Sequence, residues 1–355
     1  MNRKITFLFL GILNLVLAFT LGSCTNQFKE PGKVEVTDML GTKVYIKKNP
    51  SKVACISRTT YDLLVAYGLG DKIDGAYKGT LNNKWLKYIY PNSKNHYVYG
   101  YKNSFELFIE REVDLVFAPE KYIADELNQR GIPAVCVSLY AKPNFEKYVN
   151  FFSRLIRQIW DNEEVKEKSS KWENEVEAII SKIKTTLKKS NVAKQKLYYV
   201  RGDKPNGVGY TDNAGSFTEY AYSVLGFEYL GSKITTNRPS DEEILNYNPD
   251  VVVMGGIYQH ANLLKIAQPP FNELKAVKNG RLYKIPIGVT AFEQLSAMTP
   301  IFFAHQAMAL HPDLFTFDIA SMLTKSIKEY FGYSLSLKDA VSMLAGLGPN
   351  LEPLV

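Results

Sequence analysis

The chain has few of the side chains that most often carry chemistry. Only three of its 355 residues are cysteine and only four are histidine. It contains no GxSxG nucleophile elbow, no GxxxxGK[ST] phosphate loop and no HExxH zinc motif, so those hydrolase, nucleotide-binding and metalloprotease patterns are excluded. Lysine and arginine number 43 against 36 aspartate and glutamate. Because no dense basic run concentrates this mild excess, the sequence does not predict nucleic-acid binding.

Long apolar runs are confined to the first residues of the chain. The run over residues 5–19 follows Arg3 and Lys4 and is too short to span a bilayer comfortably, which is typical of an export signal. The signal ends at "LGSC", where the spacing before Cys24 resembles the bacterial lipoprotein box. We therefore expect acylation of Cys24 and a mature protein that is a soluble body on a lipid tether.

Aromatic side chains are abundant, at 13% of the chain with 23 tyrosines. The stretch "HYVYGYKNSFE" places Tyr97, Tyr99 and Tyr101 at every second position, which on a strand puts all three on one face. They are either the inner face of a core strand or the wall of a binding site. Since a helix follows them, we expect a ligand wall rather than a core strand.

Short apolar runs alternate with helical patterns in both halves of the chain. The runs "KVACIS", "KIDGAY", "DLVFAP" and "AVCVSL" come first, and "KLYYV", "VVVMGG" and "RLYKIPIG" come later. Such alternation predicts parallel sheets covered on both faces by helices. "VEVTDMLGTKVYI" predicts a hairpin before the first half. Cys55 and Cys136 lie in two of the strands, where we expect buried free thiols rather than a disulfide.

One long amphipathic helix separates the two halves. Apolar residues recur at spacings of three and four from Trp172 to Leu187, within a helix expected over residues 162–188 and about 40 Å long. It either docks on a single domain or links two lobes. We predict an α/β fold of two Rossmann-like α/β lobes joined by one long α-helix, with a ligand cleft between the lobes. The expected segments are a lipoprotein signal (1–23), a tether (24–33), an N-terminal lobe (34–143), a helical segment (144–190), a C-terminal lobe (191–317) and a helical tail that packs on the second lobe (318–355).

Five stretches in this order resemble a known family. They are "VTDMLGTKVYI", "KVACISRTTYDLLVAYGLGDKIDG", "SFELFIEREVDLVFAP", "DEEILNYNPDVVVMGG" and "LKAVKNGRLYKIP". Together with the lipobox and the long helix, they resemble the substrate-binding lipoproteins of ABC importers that bind ferric siderophores, haem, cobalamin and related metal chelates. The resemblance covers most of the chain from Val34 to about Phe317. It implies a periplasmic or extracytoplasmic protein, lipid-anchored and monomeric, that works with an ABC permease and its ATPase.

Ligands of parallel α/β sheets bind at the carboxyl ends of the strands, so the residues that follow each strand are the candidates. In the first half these are Arg58, Thr59, Tyr77, Lys78, Tyr99, Tyr101, Glu120, Lys121 and Tyr140. In the second half they are Arg201, Asp203, Tyr258, Gln259, His260, Thr290, Phe292 and Glu293, and the resemblance adds Arg238. The set is aromatic and basic with little acid, which suits a large, partly planar, anionic chelate. His96 and His260 are possible contacts to a chelated metal, and no metal bound directly by the protein is expected.

Two acidic residues have an expected role that is separate from ligand binding. Glu106 and Glu242 each lie in the first turn of a predicted helix, where the helix dipole alone favours an acid. The resemblance implies more, because one glutamate per lobe docks on permease arginines in this family. Glu106 and Glu242 match those positions, with Glu243 as an alternative.

The sequence thus predicts a non-enzymatic binding protein with no permanent cofactor, whose transported ligand is an Fe(III) chelate such as a ferric siderophore or a haem-like complex. Two alternatives remain open. One is cobalamin or a nickel chelate, with a histidine completing the coordination of the metal. The other is a surface adhesin or structural lipoprotein that keeps the lobes without a ligand.

Overall fold

The computed structural model describes residues 32–138 and 149–354. The expected signal peptide, Cys24, most of the expected tether and Tyr140 lie outside the described residues. None of the helices in the described ranges combines the length and apolar character that a membrane-spanning segment needs.

The described chain begins with an antiparallel hairpin of β1 (Lys33–Thr37) and β2 (Lys43–Lys47). Asp38 closes its turn by accepting hydrogen bonds from the backbone amides of Leu40 (2.9 Å) and Thr42 (2.7 Å). Gly41 adopts a φ of 88°, a conformation that glycine takes without strain. The hairpin forms where the alternating sequence pattern predicts it.

The first lobe is built on a five-stranded parallel sheet in the order β5-β4-β3-β6-β7. Its strands are short and mostly buried on both faces, as parallel strands covered by helices are. The elements are β3 (Val53–Cys55), α1 (Arg58–Ala66), β4 (Ile73–Tyr77), α2 (Lys78–Leu81), α3 (Lys84–Ile89), β5 (Tyr97–Tyr99), α4 (Phe105–Glu110), β6 (Leu115–Ala118), α5 (Lys121–Gln129) and β7 (Ala134–Cys136). Cys55 and Cys136 are buried free thiols.

Two helices follow the first lobe, α6 (Phe151–Ile159) and α7 (Glu163–Lys189). Asn162 caps α7 by accepting a hydrogen bond from the amide of Val165. Acidic residues occupy the first turn of α7 and lysines its last turn, which suits the helix dipole at both ends. Its buried stripe includes Trp172, Val176, Ile179, Ile180 and Ile183. The helix runs one residue later at each end than the predicted range.

The second lobe is built on a four-stranded parallel sheet in the order β11-β10-β8-β9. The predicted fold of two α/β lobes joined by one long helix is therefore confirmed. The elements are β8 (Gln195–Val200), α8 (Phe217–Val224), β9 (Phe227–Tyr229), α9 (Asp241–Tyr247), β10 (Val251–Met254), α10 (Gln259–Ile266), α11 (Lys275–Lys278), β11 (Leu282–Lys284) and α12 (Thr299–Leu310).

The two lobes and α7 share one hydrophobic core. The indole of Trp172 on α7 donates a hydrogen bond to the carbonyl of Ser296 (3.1 Å), in the loop before α12. Asp62 on α1 accepts one from the amide of Ala297 (2.9 Å). Asn83 of the first lobe donates to the carbonyl of Gly288 (2.9 Å). The lobes are therefore tied directly to one another beneath the cleft, as well as through the linking helix.

The tail contains α13 (Ile319–Phe331) and α14 (Leu337–Leu344), and its packing differs from the expectation. The tail contacts α12 of the second lobe, but it also contacts α1 and α3 of the first. Trp85 on α3 donates its indole N–H to the carbonyl of Leu347 (2.8 Å), and Lys84 donates to that of Pro353 (2.7 Å). The tail thus packs on both lobes, and Trp85 is one of the first-lobe residues that it contacts.

Candidate functional site

A cleft lies between the carboxyl ends of the two sheets and is lined by both lobes. It consists of two adjoining cavities of about 160 and 330 Å³ that share Arg58 and Gln294. The smaller cavity lies against the first lobe and reaches Arg201 of the second. The larger one lies between Thr80 and Asn83 of the first lobe and Asp203, Thr290 and Glu293 of the second.

The wall that the first lobe contributes is aromatic and basic. Arg58 begins α1 just after β3, and its guanidinium group lies 4.9 Å from the ring centroid of Tyr77, the last residue of β4. Tyr77 meets Tyr101 edge to face at 6.4 Å between centroids. The Tyr101 hydroxyl donates a hydrogen bond to Glu120 (3.1 Å), and burial together with this carboxylate raises the pKa of Tyr101. This wall offers ring faces and a guanidinium group to a ligand.

The wall that the second lobe contributes is acidic. Arg201 follows β8 and forms an ion pair with Asp203 (2.7 Å), and a second one with Asp212 (3.5 Å). The Thr218 hydroxyl donates to the other oxygen of Asp212 (2.6 Å). The loop after β8 folds back so that the amide of Arg201 donates to the carbonyl of Tyr210 (2.9 Å), which brings Asp212 to the cleft. The guanidinium group of Arg201 is therefore already matched by two carboxylates.

Glu293 is the most buried acid of this wall, with 8% of its surface exposed. One carboxyl oxygen, Oε1, accepts hydrogen bonds from the amide of Gly256 (2.8 Å) and the hydroxyl of Tyr199 (3.4 Å). The other, Oε2, is buried and has no hydrogen-bond partner among the described residues. Burial raises the pKa of Glu293 to about 7, and the carboxylates of Asp203 and Asp212 add to the shift.

Two glycines allow the loops of the second lobe to approach each other behind this wall. Gly202 and Gly256 both adopt a φ of 66°. A side chain at Gly202 would clash with the backbone of Gly255, and one at Gly256 would meet the carbonyl oxygens of Arg201 and Gly202. Glycine is therefore required at both positions, and the close contact places the Gly256 amide where it binds Glu293.

Comparison with known proteins gives the fold its context. No protein-family model and no curated protein matches the chain. Solved structures do match, and three are representative. The molybdate-bound periplasmic binding protein MolA of Haemophilus influenzae is 18% identical, with 85% of this chain and 99% of that chain covered and a TM-score of 0.71. Helicobacter pylori CeuE, in a complex with nickel and histidine, is 17% identical. The match covers 84% of this chain and 96% of that chain, with a TM-score of 0.69.

The third is a protein of an ABC-type Fe³⁺-hydroxamate transport system from Saccharomonospora viridis. It is 15% identical, covers 78% of this chain and 99% of that chain, and has a TM-score of 0.61. The chain has the solute-binding-protein fold. The structural neighbours are solute-binding proteins of ABC transporters, which is the class that the sequence motifs indicated.

Five of the predicted ligand residues line the cleft of this solute-binding-protein fold. They are Arg58, Tyr77, Tyr101, Arg201 and Glu293. Three further candidates, Glu120, Asp203 and Thr290, line it as well. Contact of these residues with a ligand stays a prediction.

Three other predicted ligand residues are buried in the protein. Tyr99 is fully buried, stacks on Phe108 at 5.3 Å and donates its hydroxyl to Asp74 (2.6 Å). Phe292 is fully buried, and Thr59 is 2% exposed. The structure contradicts the expectation that these side chains are open to a ligand, because almost none of their surface is exposed.

The structure places Tyr97, Tyr99 and Tyr101 in three different surroundings, whereas the prediction placed all three on one ligand wall. Residues 97–99 form a strand at the edge of the first sheet, with Tyr97 and Val98 exposed and only Tyr99 buried, which the prediction did not include. The guanidinium group of Arg111 lies over the ring of Tyr97, 4.1 Å from the centroid of that ring. Tyr97 does not line the cleft. The strand ends before Gly100, and only Tyr101 reaches the cleft.

The remaining predicted residues lie on the surface outside the two cavities. Lys78 and Arg238 are exposed, and the guanidinium group of Arg238 lies 5.1 Å from the ring centroid of Tyr210. Tyr258 and exposed His260 begin α10 without lining either cavity. Their contact with a ligand stays a prediction. It requires a ligand that extends out of the two cavities to reach these residues.

His96 does not lie at the carboxyl end of the first sheet, where the prediction placed it. It precedes β5 and therefore lies at the amino end of that strand. Its Nδ1 is 2.7 Å from the hydroxyl of Tyr61, and burial lowers its pKa. His96 lines neither cavity of the cleft, and its contact with a chelated metal stays a prediction. In the described ranges no three or more histidine, cysteine, aspartate or glutamate side chains are grouped to hold a metal ion.

The expectation of a cleft with little acid is wrong. Glu120, Asp203, Asp212 and Glu293 all line the cleft or the recess beside it. Asp212 was missed because it comes 12 positions after the end of β8, and only the fold-back of the loop brings it to Arg201. No local sequence signal marks it.

The two proposed docking acids are both exposed. Glu106 lies in the first turn of α4, which Ser104 caps, and Glu242 lies in the first turn of α9. Glu243 is engaged in the capping box of α9, where it accepts a hydrogen bond from the amide of Ser240 (2.8 Å). Between the two alternatives, the structure leaves Glu242 the more available for a partner.

Proposed function

We propose that the protein is the substrate-binding component of an ABC importer, which captures a metal chelate in the cleft between its lobes and delivers it to the permease. The observation that carries the proposal is the cleft itself, formed where the carboxyl ends of two parallel sheets face each other. The role is binding and transfer without catalysis.

The aromatic wall of the first lobe supports a chelate as the cargo. The rings of Tyr77 and Tyr101, with Arg58 beside them, suit a flat organic ligand that carries oxygen donors. Among the structural neighbours are proteins named for Fe³⁺-hydroxamate transport and for a nickel–histidine complex. A ferric siderophore or a haem-like complex is the proposed cargo. A small oxyanion such as molybdate fits this cleft poorly, because acidic side chains line it.

Capture in this fold requires little movement of the lobes. Trp172, Asp62 and Asn83 each make a hydrogen bond that ties first-lobe or linker residues to the second lobe. These contacts lie in or beside one shared core, and the tail packs across both lobes. We therefore propose that ligand binding closes the cleft only slightly, as a stiff linker resists a wide hinge motion.

Delivery requires a location outside the cytoplasm and a partner in the membrane. We propose that the protein is exported, that a lipid on Cys24 anchors it to the cell membrane, and that it acts as a monomer. Glu106 and Glu242, one on each lobe, are the proposed contacts to permease arginines. Exposed charge pairs of this kind chiefly set orientation and association rate.

The test is calorimetric titration of the purified protein with ferric trihydroxamates, a ferric tricatecholate, haem, cobalamin and a nickel–histidine chelate. Calorimetry is preferred to tryptophan fluorescence because all three tryptophans are at most 2% exposed and none lines the cleft. Saturable binding of an iron chelate at one site supports the proposal. Binding of cobalamin or nickel chelate alone would favour the second ligand class, and His260→Ala then reports whether a histidine coordinates the metal.

A protein that keeps the lobes without a ligand, such as a surface adhesin, is the alternative from another class. It predicts no heat of binding with any of these chelates. It also predicts no permease and ATPase genes beside the gene for this chain. Binding of none of the chelates would contradict the proposed function.

A further inference from the structure

A small recess opens from the cleft into the second lobe. Its volume is about 60 Å³, and it shares Arg201 and Gln294 with one cavity of the cleft and Asp203 and Glu293 with the other. A water molecule's share of liquid volume is about 30 Å³. The recess therefore has room for one small terminal group of a ligand, while a ring or a whole chelate must stay in the cleft.

The charges in the recess are unbalanced. Three carboxylates, those of Asp203, Asp212 and Glu293, surround one guanidinium group, that of Arg201. Arg201 is paired with the two aspartates. Among the described residues no lysine, arginine or histidine forms an ion pair with Glu293. Within residues 32–138 and 149–354, one acid of the recess is therefore left without a counter-charge.

Glu293 also has an unused hydrogen-bonding atom. Its Oε1 is held by the amide of Gly256 and the hydroxyl of Tyr199, whereas Oε2 is buried without a partner among the described residues. A buried carboxylate oxygen without a hydrogen-bond partner destabilises the folded protein, because the group has lost its water and gained nothing in exchange. This cost is consistent with the pKa of about 7 that burial gives the group. A donor that arrives with the ligand would remove the cost.

We infer that the recess is a subsite for a cationic group of the cargo, such as a primary ammonium, and that Glu293 is the residue that selects it. The inference rests on the proposed function and names a class of chelate within it. The three carboxylates are not grouped to hold a metal ion in the described part of the chain, which favours an organic cation. The chelate would lie against Tyr77 and Tyr101 while an ammonium-bearing arm passes Arg201 into the recess.

The experiment uses two ligands that differ in the charge of one terminal group. Ferrioxamine B is a linear ferric trihydroxamate with a terminal primary ammonium, and its N-acetyl derivative carries a neutral, slightly larger acetamide there, so the comparison between wild type and variant separates charge from size. Both are titrated calorimetrically into the wild-type protein and into Glu293→Gln, which keeps the shape of the side chain. Asp203→Asn is the second variant, and Asp62→Asn is the matched control, a buried acid that lines neither the cleft nor the recess.

The wild-type protein should bind the ammonium form at least ten times more tightly than the acetylated form. Glu293→Gln should reduce that ratio to about two or less, Asp203→Asn should reduce it partly, and Asp62→Asn should leave it unchanged. The ratio should also shrink as the pH falls from 8 to 6, since protonation removes the charge of Glu293. The groups that face it are Tyr199, Tyr222, Asp203, Asp212, Arg58 and Arg201.

Each contrary result has a distinct meaning. Equal affinity for the two ferrioxamines, or a preference that survives in Glu293→Gln, overturns the subsite while the importer role stands. Tight binding of haem or of the tricatecholate with both ferrioxamines rejected does the same. An ammonium preference that grows as the pH falls from 8 to 6 would show that the charge of Glu293 does not select the cation, which also overturns it. Binding of no chelate at all removes the proposed function and the subsite together.

Discussion

The two walls of the cleft have the same topology and different chemistry. Each is made by residues at or after the ends of the strands of a parallel sheet. The first lobe presents the rings of Tyr77 and Tyr101 with one arginine and one acid, Arg58 and Glu120. The second presents no ring among its described residues and an excess of acid, with Asp203 and Glu293 against Arg201. The comparison teaches that the fold sets where a ligand binds, whereas the loops after the strands set which ligand it is. It also indicates a cargo with two unlike ends.

The two lobes also contain a pair of similar buried acids with different surroundings. Asp62 of the first lobe and Glu293 of the second each accept a hydrogen bond from a backbone amide through one oxygen and leave the other without a partner in the described structure. Burial raises the pKa of both to about 7. Only Glu293 lines the cleft. Comparing these two acids therefore separates the effect of burial on stability from the effect of a carboxylate on ligand affinity.

The largest expected effect concerns Asp62 and the pH dependence of stability. Its pKa is about 7 in the folded protein against an ordinary value of 3.8 for a free side chain, so folding is favoured while the group is protonated. That stability is fully present below pH 3.8, is lost by about 1.4 kcal/mol per pH unit as the pH rises from there to about 7, and falls no further above that pH. Asp62→Asn should lose this dependence while it still accepts the hydrogen bond from Ala297. Urea unfolding between pH 5 and pH 8 measures it.

The expected quantity is the difference in free energy of unfolding between wild type and Asp62→Asn, which should fall as the pH rises. The difference is needed because His305 acts in the opposite direction. Burial lowers the pKa of His305 to about 4, so it destabilises the folded protein as the pH falls below 6.5. A difference that stays constant from pH 5 to pH 8 would contradict the account.

The next effect concerns the arginine of the first wall. Arg58→Ala removes the guanidinium group that lies over Tyr77, and we expect chelate affinity to fall by about tenfold to a hundredfold, as for the loss of a charged hydrogen bond. Arg130→Ala is the control, because Arg130 also packs over a ring, that of Phe105, but lines neither cavity. Calorimetric titration measures both variants. Equal losses would show that the effect is not specific to the cleft.

A smaller effect distinguishes two tyrosines of one stretch. Tyr101 and Tyr97 are 41% and 37% exposed, but only Tyr101 lines the cleft. Tyr101→Ala should weaken chelate binding about threefold to tenfold, since a ring contact is worth about 0.5–1.5 kcal/mol. Tyr97→Ala should leave the dissociation constant unchanged. The opposite order would place the ligand on the outer edge of the first sheet.

The smallest effect is expected at the surface that we propose docks on the permease. Glu106→Ala and Glu242→Ala should each lower chelate uptake by cells about twofold to fivefold, because an exposed ion pair contributes about 0.2–1 kcal/mol. The dissociation constant of the purified protein should not change. Glu110→Ala, at the opposite end of α4 from Glu106, is the control. Loss of uptake only in the control variant would remove these two acids from the docking surface.

The parts of the fold that could be predicted depend on strong periodic patterns. The apolar stripe from Trp172 to Ile183 predicted α7 to within one residue at each end. Continuous apolar runs predicted the central strands. The edge strands β5 and β9 were missed, because neither lies in a continuous apolar run: β5 was interpreted as a ligand wall and β9 is interrupted by Glu228. The start of α12 at Thr299 depends on a tertiary contact, since the chain just before it forms the turn that bonds to Asp62 and Trp172.

A residue of the site could be predicted only where its position relative to the end of a strand is enough to place it at the cleft. Arg58, Tyr77, Arg201 and Glu293 follow strands closely enough that topology places them. The inward or outward direction of a side chain does not follow from that rule, which is why Phe292, next to Glu293, is buried in the core instead. The acidic balance of the cleft depends on a loop that folds back over about 12 residues, and no local pattern encodes that contact.

The most direct test of the central claim is native mass spectrometry of the protein purified from its own host with its ligand retained. The account predicts one bound molecule per chain whose isotope pattern contains a metal, and predicts that the double variant Arg58→Ala/Tyr101→Ala loses it. A bound molecule without a metal, or a chelate that the double variant keeps at the wild-type level, would contradict the account.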